Sequence, residues 1–411
     1  MHILFVTPYF PPDIGSAHRQ MHQLSTQLAA MGHEVTVLTA VPHYPTGVVP
    51  AEYRRRWRVE EFKEGLRVVR TCIYATSSRR ALPRMFNHLS FMIASIGNVD
   101  SVPHDVDVIY TDSPPLFDGL AAFTIGRMLS APYVFNVADL WPQILFEHQM
   151  MTSFPFRQIA EGMESFVYGK ASQITAVTEG FRESICAKGV PRDHVHFVPL
   201  GTDIDQFTPD VDGTHWRERL EVGDHCLVMY TGAHGASQGL ETVLEAAHLL
   251  HRESQLLFCL VGTGLEKPSL MRLAKKKGLS NIRFVEAQPL DEMPAVVAAA
   301  DIHVVPLKDL PLFRMTIPGK IYEIFAAGKP VIGAVAGEAA ALIERAEGGV
   351  SVSPMDAEAL ADAIVVMARD AELRKEYGNS GRAYVVANHS YARIVKMLEK
   401  VLNEAVGTHH G

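Results

Sequence analysis

The chain has 411 residues, enough for two domains of ordinary size, and its 47% hydrophobic and 20% charged content is typical of a globular protein. Its formal net charge of −8 at pH 7 gives no reason to expect nucleic acid as the main partner. The widely spaced cysteines form no C-x-x-C pair, which argues against a zinc site or a disulfide framework and is typical of a reducing cytoplasm. They are Cys72, Cys186, Cys226 and Cys259.

The N-terminal sequence MHILFVTPYFPP predicts a first β-strand rather than a signal peptide, because no basic segment precedes the apolar run and prolines end it after a few residues. No apolar stretch of the sequence approaches the roughly 20 residues that a membrane-spanning helix needs. We therefore expect a cytoplasmic protein.

Short β-branched runs alternate with helical patterns through the first half of the chain. The run HILFVT is followed by the stretch SAHRQMHQLSTQLAAMG, in which Gly32 would end a helix. Further runs that predict strands are EVTVLT, DVIYT, YVFNV, QITAVT and VHFVP. This alternation is typical of a parallel sheet with helices on both faces.

Gly15 and Ser16 lie between the first predicted strand and the first predicted helix. At such a position, free backbone N–H groups and the positive end of a helix can face a phosphate. A plain strand-to-helix turn explains the same residues, so both interpretations remain open.

Residues 51–90 are basic within an acidic protein, since ten Lys and Arg residues there are opposed by four Glu residues. The segment continues into an apolar stretch, residues 77–99, in which Arg79, Arg80 and Arg84 precede Phe86. A basic, aromatic-containing segment can lie in the interface of an anionic membrane. The alternative is an ordinary core helix flanked by solvated arginines.

The β–α pattern pauses in the turn-rich stretch VPLGTDIDQFTP, residues 198–209, and then resumes with the runs CLVMYTG, LLFCLVG, IRFVE, IHVVPL and PVIGAV. We therefore predict two α/β domains, residues 1–203 and 204–385. Residues 386–411 would contain a helix over 391–406 and a mobile polar tail. Two parallel sheets side by side form a cleft at the carboxyl ends of their strands, so functional residues are expected directly after strands.

Two glycine-containing loops follow consecutive predicted strands of the second domain. The first, TGAHGASQG, contains Gly232 with the polar side chains His234 and Gln238, and the second, GTGLEK, contains Gly262 and Gly264. Glycine lets a backbone approach a ligand closely, and two such loops on neighbouring strands favour a ligand site over a flexible connection.

The stretch MTIPGKIYEIFAAGKPVI, residues 315–332, predicts a short helix over about 318–327, because Pro318 is typical of a first helical residue and Gly328 of the position after the last. Lys320 and Glu323 share one face of that helix. Together with Arg314, Lys320 would form an anion-binding site. Glu323 can accept hydrogen bonds from a diol such as ribose. An exposed Lys–Glu pair that contributes ~0.3 kcal/mol is the alternative.

With these motifs the chain resembles a GT-B glycosyltransferase of the large retaining family four, which builds bacterial surface polysaccharides. The motifs that carry the resemblance are ILFVTPYFPPDIGS, VPLGTDIDQFTP, YTGAHGASQGLETVLEAA, LVGTGLEK, RFVEAQPLDEMPAVVAAADIHVVPL and IPGKIYEIFAAGKPVI. PHYPTG at 42–47 and QGL at 238–240 are similar to the subgroup that includes N-acetyl-fucosamine transferases.

The resemblance implies two Rossmann-like domains and a nucleoside-diphosphate sugar as donor, with uracil as the base expected from the family. Gly15 would place its backbone against the donor diphosphate, and Gly232 and Lys320 would hold that diphosphate from the second domain. Glu323 matches the second glutamate of the family's Glu–seven residues–Glu motif, which binds the ribose. The final helix would cross back to the first domain.

The sequence departs from the family pattern at several positions. Met315 replaces the first glutamate of that motif, and Gln238 stands where a lysine is usual, which leaves Arg314, Lys320 and His234 as candidate cations for the diphosphate. The family's histidine in the first domain is replaced by Ala138, but Asp139 remains. We assign Asp139 to contact with the acceptor or the sugar; a buried capping aspartate is the alternative.

The expected reaction displaces a nucleoside diphosphate from the anomeric carbon. Fixed N–H groups and cations aimed at the leaving group would stabilise its developing charge. No Asp-x-Asp triplet lies directly after a predicted strand, so we expect no metal and no cofactor. Retention, with the departing phosphate taking the acceptor proton, is implied by the family. The acceptor would be a glycan or a polyprenyl-diphosphate-linked glycan at the inner face of the cell membrane.

Two rival functions remain. A UDP-GlcNAc 2-epimerase has the same fold but would need several catalytic carboxylates and histidines at strand ends. An inactive nucleotide-sugar-binding protein would explain the loss of the glutamate at Met315. A dinucleotide dehydrogenase is disfavoured because no G-x-G-x-x-G follows the first strand.

Overall fold

The structure is a computed structural model that describes residues 1–13, 16–78, 80–147 and 154–410. The chain divides into two compact units. Met1–Leu200 and Tyr391–Gly411 form the first unit, and Gly201–Ser390 form the second. The chain therefore leaves the first unit three residues before the boundary predicted at residues 203/204, and it returns at Tyr391.

The first unit contains an eight-stranded sheet in the order β3-β4-β2-β1-β5-β6-β7-β8. Its strands are β1 (His2–Thr7), β2 (Glu34–Ala40), β3 (Arg58–Lys63), β4 (Leu66–Thr71), β5 (Val108–Ser113), β6 (Tyr133–Val137), β7 (Gln173–Ala176) and β8 (Val195–Phe197). All neighbours are parallel except β3 and β4. In the register of the sheet centre, Ile3 of β1 pairs with Val35 of β2 and Val108 of β5.

The second unit contains a six-stranded parallel sheet in the order β11-β10-β9-β12-β13-β14. Its strands are β9 (Cys226–Thr231), β10 (Leu256–Val261), β11 (Ile282–Val285), β12 (Ile302–Pro306), β13 (Val331–Ala334) and β14 (Gly349–Val352). The two sheets confirm the expected fold class of two Rossmann-like α/β domains.

Helices connect most of these strands. In the first unit they are α1 (Ser16–Ala30), α2 (Ala81–Gly97), α3 (Leu116–Leu129), α4 (Gln143–Glu147), α5 (Phe154–Lys170) and α6 (Glu179–Ala187). In the second they are α7 (Thr214–Arg219), α8 (Glu241–Leu249), α9 (Lys267–Lys276), α10 (Met293–Ala299), α11 (Pro311–Arg314), α12 (Lys320–Ala326), α13 (Glu338–Arg345), α14 (Ala357–Arg369) and α15 (Ala371–Asn388). The last helix, α16 (Tyr391–His410), belongs to the first unit.

Helices cover both faces of the first sheet. On one face, α1 and α16 pack together, and their apolar stripes, which include Leu24 and Leu398, bury Ile3 and Phe5 of β1. On the other face, α3 packs against β5 and contacts both α2 and α5. These three helices, α2, α3 and α5, form the α2–α3–α5 face.

The core of the second unit lies on both sides of β9 and β10. One cluster includes Val228 and Phe258 with α8 and α14, and the other includes Met229 and Cys259 with α7 and α10. Adjacent strand residues alternate between the two clusters because their side chains point to opposite faces. A sheet that is buried on both faces accounts for the continuous apolar runs in the sequence.

The basic segment of residues 51–90 differs from the expectation, because it contains the β3–β4 hairpin and its arginines are partly neutralised. Arg70 lies 3.0 Å from Glu61, and Arg67 lies 3.0 Å from Glu60. Arg58 pairs with Asp100, beyond the segment, at 3.0 Å. The excess of positive charge is therefore smaller than the sequence count indicates.

Two helix predictions were wrong at their ends. The helix expected over 318–327 begins at Lys320 and ends at Ala326, and Gly328 follows it with φ of +67°. The final helix does not stop at residue 406 but continues to His410, so the four residues after 406 are helical rather than a polar tail.

Candidate functional site

The candidate site lies at the carboxyl edge of the second sheet, where the strand order reverses. From β9 the chain proceeds outward to β10 and β11, whereas β12 lies on the other side of β9. The loops after β9 and β12 therefore diverge at a topological switch point, the position at which open α/β sheets bind ligands. The loop after β9 and helix α12, which follows β12, both begin there.

Close packing between the loops after β9 and β10 requires glycine. Gly232 has φ of +134°, and a Cβ atom on it would lie 2.5 Å from Nζ of Lys320. Gly262 has φ of +149°, and a Cβ atom on it would overlap the carbonyl oxygen of Gly232. Likewise, a Cβ atom on Gly264 would overlap the backbone of His234. These glycines bring two loops and Lys320 into direct contact.

Lys320 is the central cation of the candidate site. Its Nζ lies 4.0 Å from the centroid of the Tyr230 ring, a cation–π contact. The Tyr230 hydroxyl donates a hydrogen bond of 2.7 Å to the carbonyl oxygen of Ala233 and lies 3.2 Å from Oε1 of Gln238. Burial lowers the pKa of Lys320 to about 7, because the ammonium is removed from water. An anion that entered the site would stabilise the charged form.

His234 is fully buried in the loop after β9, and the prediction that it is cationic was wrong. Burial, followed by the charges of Lys267 and Lys320, lowers its pKa to about 4, so the imidazole is neutral at pH 7. Neither ring nitrogen has a hydrogen-bond partner among the described residues. A buried polar group without a partner is costly, so a ligand that supplied one would recover free energy.

Lys267 is a residue of this site that the sequence analysis missed. It is buried, and its Nζ donates to the carbonyl oxygens of Gly262 and Val285 at 2.8 Å each and pairs with Glu286 at 2.8 Å. It thereby fixes the loop after β10. Lys267 is the first residue of α9 and could have been noticed as a cation directly after a glycine loop, but no periodic pattern marks it as buried.

The two other predicted groups near α12 differ in their surroundings. Glu323 lies in the first turn of α12, partly buried, as expected for a ribose contact. Arg314 does not provide the free cation that we expected. It is largely exposed, and its guanidinium forms two hydrogen bonds with Asp309, at 2.8 and 2.9 Å. Such a bidentate pair already compensates its charge.

In the first unit, the predicted residues are described only in part. Gly15 and Arg79 lie outside the described residues, and Ser16 is the first residue of α1. Asp139 follows β6 and is partly buried, and this burial raises the pKa of its carboxyl to about 6. Ala138, which replaces the family's histidine, precedes it directly.

Buried acidic groups near the carboxyl edge of the first sheet were also missed. Asp112 is the penultimate residue of β5, and burial raises the pKa of its carboxyl to about 7. Both carboxyl oxygens of Asp118 lack a hydrogen-bond partner among the described residues. Oδ1 of Asp13 accepts hydrogen bonds from the backbone N–H groups of His43 and Tyr44, each at 2.9 Å. Asp112 lies inside β5, Asp118 inside α3 and Asp13 six residues beyond β1, so a search directly after strands would not have found them.

The segment proposed for membrane contact forms α2. Arg84 and Phe86 are exposed there, as is Arg80 directly before the helix, whereas Phe91 faces the core. None of the helices in the part of the chain that the structure describes is long and apolar enough to cross a bilayer.

Comparisons with known proteins agree with this architecture. A family model described as a glycosyl transferase 4-like domain matches residues 15–201, and one described as glycosyl transferases group 1 matches residues 225–370. Among solved structures, sucrose-phosphate synthase from Thermosynechococcus elongatus superimposes with a TM-score of 0.77 at 19% identity over 99% of both chains. HepE of Anabaena, solved with UDP and glucose, gives a TM-score of 0.73 at 18% identity over 98% of this chain and 99% of HepE.

Two of the curated relatives cover nearly the whole chain. WcaI of Escherichia coli K12, whose name proposes a glycosyl transferase role in colanic acid biosynthesis, is 28% identical over 400 residues, 93% of this chain and 95% of WcaI. A GDP-mannose-dependent alpha-(1-6)-phosphatidylinositol monomannoside mannosyltransferase of Mycolicibacterium smegmatis is 23% identical over 411 residues, 96% of this chain and 98% of that protein.

The paired parallel-sheet domains and the two glycosyl transferase models define the class of protein as a GT-B glycosyltransferase, an enzyme of EC 2.4. Within that class the chain belongs to family four, as its motifs indicated. The subgroup of N-acetyl-fucosamine transferases stays a prediction.

Proposed function

We propose that this enzyme transfers a sugar, with retention of configuration, from a UDP-linked donor to a glycan or polyprenyl-diphosphate-linked acceptor in surface-polysaccharide biosynthesis. The observation that carries the proposal is the position of Lys320. Its partly desolvated ammonium lies at the switch point of the second sheet, against Tyr230 and beside the glycine loop after β9.

The donor diphosphate is the ligand that this arrangement fits best. An ammonium with a pKa near 7 gains more from an anionic partner than an exposed lysine does, because burial has already removed its water. Negative charge develops on the diphosphate as the glycosidic bond to the donor breaks. A fixed cation at that position stabilises the transition state more than the ground state, typically by about 3 kcal/mol.

Other side chains complete the proposed donor site. Glu323, in the first turn of α12, would accept hydrogen bonds from the ribose diol. The neutral imidazole of His234 would make a hydrogen bond with the donor, and the loop containing Gly262 would bring backbone groups close to it. Asp139 of the first unit would contact the acceptor or the transferred sugar.

The names of relatives support a nucleotide-sugar donor, but they differ in the nucleotide base. HepE was solved with UDP and glucose, whereas the mycobacterial relative is named as GDP-mannose-dependent. We propose UDP. The name of WcaI supports a role in extracellular polysaccharide biosynthesis.

We further propose that catalysis needs no metal. Among the described residues, the one group of side chains close enough to share an ion is His2, Glu34 and Asp105. His2 and Glu34 begin β1 and β2, so this group lies at the amino edge of the first sheet, whereas the proposed sites use carboxyl edges. Activity should therefore survive EDTA, and its loss with recovery on adding Mg²⁺ or Mn²⁺ would contradict this part of the proposal.

The function is tested by incubating the protein with UDP-, GDP- and dTDP-sugars and a polyprenyl-diphosphate-linked acceptor. Free nucleoside diphosphate together with an extended acceptor supports transfer. An altered sugar without use of the acceptor would indicate an epimerase, and a thermal shift without turnover would indicate a binding protein. NMR of the new anomeric linkage reports whether configuration is retained.

We also propose that the exposed start of α2, with Arg84 and Phe86 and the preceding Arg80, contacts an anionic membrane; Arg79, which was expected to take part, lies outside the described residues. A lipid-linked acceptor would then reach the enzyme from the bilayer surface.

A further inference from the structure

A polar cavity lies at the amino edge of the second sheet, whereas the candidate donor site lies at the carboxyl edge. The cavity has a volume of about 230 Å³, and its wall includes Cys226 at the start of β9, Asp301 directly before β12, and Arg374 of α15. Tyr230, beside the donor site, comes four residues after Cys226 on β9, a distance of about 13 Å along a strand. The cavity is therefore separate from the donor site.

One carboxylate faces three cations at this cavity. The charges of Asp301, Arg217 and Arg374 act together on Cys226, and the same three groups act on Lys329, which precedes β13. Asp301 is already engaged, because its Oδ2 accepts a 2.9 Å hydrogen bond from Nη1 of Arg217. None of the ion pairs among the described residues includes Arg374 or Lys329. Subtracting one carboxylate from three cations leaves an excess of two positive charges.

The other ionisable groups on the wall do not balance this excess. Glu253 is paired with Arg369, at 3.3 Å. Asp224 is exposed, so water and salt screen its charge. Burial, together with the charge of Asp301, raises the pKa of the Cys226 thiol to about 11, so the thiol is neutral at pH 7. The positive charge around Asp301 is thus left for a ligand to match.

Hydrogen-bond donors on these cations are also free. Nη1 of Arg374 donates to the carbonyl oxygens of Met367 and Ala368 at the end of α14, at 2.7 Å each, but its Nε and Nη2 make no hydrogen bond with a described residue. Nζ of Lys329 likewise has no hydrogen-bond partner in the described part of the chain. Burial lowers the pKa of Lys329, as expected for an ammonium that has lost water without gaining a partner. An anion that paired with it would recover that cost.

We propose that this cavity binds a phosphate group, either as inorganic phosphate or as the phosphate of a small metabolite. A phosphate monoester carries a charge of about −1.5 to −2 at pH 7, which matches the excess of two positive charges, whereas a monocarboxylate would match only half of it. Guanidinium groups bind phosphate oxygens through paired N–H donors. The inference concerns a second site and does not rest on the proposed transfer reaction.

The size of the cavity limits the ligand. A volume of about 230 Å³ equals that of about eight water molecules in the liquid, which is enough for a phosphate group with a short organic chain. Pockets for drug-sized ligands, by comparison, measure about 300–1,000 Å³. A nucleotide sugar therefore does not fit here.

Inorganic phosphate is the first probe. Calorimetric titration of the full chain, with chloride keeping the ionic strength constant, should show saturable binding. Lys329→Gln should weaken it at least fivefold, and Lys329→Gln/Arg374→Gln at least twentyfold. Lys275→Gln/Lys276→Gln removes two exposed cations of α9, and this matched control should bind phosphate normally. Because Arg374 also holds the end of α14, Lys329→Gln alone decides the test if the double variant does not fold.

The donor site is itself proposed to bind an anion, so the two sites must be distinguished. Lys320→Met should still bind phosphate, and Lys329→Gln/Arg374→Gln should keep its thermal shift with UDP-sugars. Phosphate binding that is lost in Lys320→Met but retained in both cavity variants would assign the phosphate to the donor site and overturn the proposal. An absence of saturable binding by the unmodified protein would overturn it as well.

The source of the phosphate is decided by comparing ligands. Tighter binding of glycerol 3-phosphate than of inorganic phosphate would support a metabolite, and the reverse order would support free phosphate. Tighter binding of succinate than of either would contradict a phosphate site. In a crystal soaked with tungstate, an analogue of phosphate, an anomalous peak should lie in the cavity beside Arg374. Tungstate peaks only elsewhere would count against the proposal.

Discussion

The ammonium of Lys320, the first residue of α12, lies 4.0 Å from the centre of the ring of Tyr230, which belongs to β9. Gly232 makes this contact possible, since a side chain there would occupy the position of the ammonium. The aromatic face compensates only part of the lost hydration, as the pKa near 7 indicates. The site is thus prepared for an anion at some cost to the stability of the free protein.

Replacing Lys320 should separate activity from stability. We expect Lys320→Met to lower kcat by a factor of about 10²–10³, because it removes a cation aimed at the leaving diphosphate. The same change should raise the melting temperature near pH 7, since an apolar chain of similar length has no charge to desolvate. Lys276→Met, at an exposed position of α9, is the control and should change neither quantity. Full activity of Lys320→Met would contradict the assignment.

The stability gained in Lys320→Met should depend on pH in a defined direction. The pKa of Lys320 is about 7 in the folded protein and 10.5 in the unfolded chain, so between these values the unfolded chain binds one more proton. The unmodified protein therefore gains free energy of unfolding as pH rises from 7 to 10.5. Chemical denaturation at several pH values should show the largest advantage of the variant below pH 7 and a decline above it.

Donor binding should depend on the same ionisation. If the charged form of Lys320 binds the diphosphate, kcat/KM for the donor should fall as pH rises above about 7, where the free enzyme loses that proton. Lys320→Arg should remove this fall because arginine stays charged, even if its overall rate is lower. A fall that persists unchanged in Lys320→Arg would assign the titration to another group.

His234 should contribute to the affinity for the donor and not to the stability of the fold. His234→Phe removes two buried ring nitrogens that lack partners, so we expect the melting temperature to stay equal or to rise. Donor affinity, measured by calorimetry with a UDP-sugar, should fall by about tenfold, the typical effect of losing one hydrogen bond of 1–1.5 kcal/mol. Unchanged affinity together with a raised melting temperature would mean that His234 makes no contact with the donor.

Much of the fold could be predicted from the sequence because buried parallel strands consist of β-branched runs. YVFNV, for instance, matches β6 from Tyr133 to Val137. The β3–β4 hairpin was not predicted, since charged residues such as Arg58 and Glu61 occupy a strand at the edge of the sheet, where burial imposes no apolar pattern. The short strand β14 was missed because its four residues show no clear alternation of apolar and polar side chains.

The sequence predicted which loops form the candidate site, but it did not predict the protonation states and ion pairs of their side chains. Glycine spacing and the position after strands indicated Gly232, Gly262 and Lys320. Where a backbone must approach a ligand or another loop closely, the sequence needs glycine, and glycine is visible in the sequence. The protonation state of His234 depends on burial and on two lysines distant in sequence, and the pairing of Arg314 depends on how the α11 turn places Asp309. Local sequence patterns do not contain such information.

Lys267 should prove to be a structural residue of the donor site rather than a direct ligand. Lys267→Met would leave the carbonyl oxygen of Gly262 without its buried donor, whereas that of Val285 would still accept from the backbone N–H of Gly262. One such unpaired group costs about 1–3 kcal/mol in the free energy of unfolding. The exposed partner Glu286 can be solvated, so its lost ion pair adds little. Denaturant unfolding measures the effect, with Lys276→Met as the control.

The kinetic consequence distinguishes Lys267 from Lys320. Because Lys267 acts through the loop that carries Gly262, its variant should raise KM for the donor and lose stability, whereas Lys320→Met should lower kcat and gain stability. Lys267→Arg should not restore the loop fully, since the planar guanidinium cannot replace the point-like ammonium between two carbonyl oxygens. If Lys267→Met kept its stability and lost only kcat, Lys267 would contact the diphosphate directly, and the roles of the two lysines would have to be exchanged.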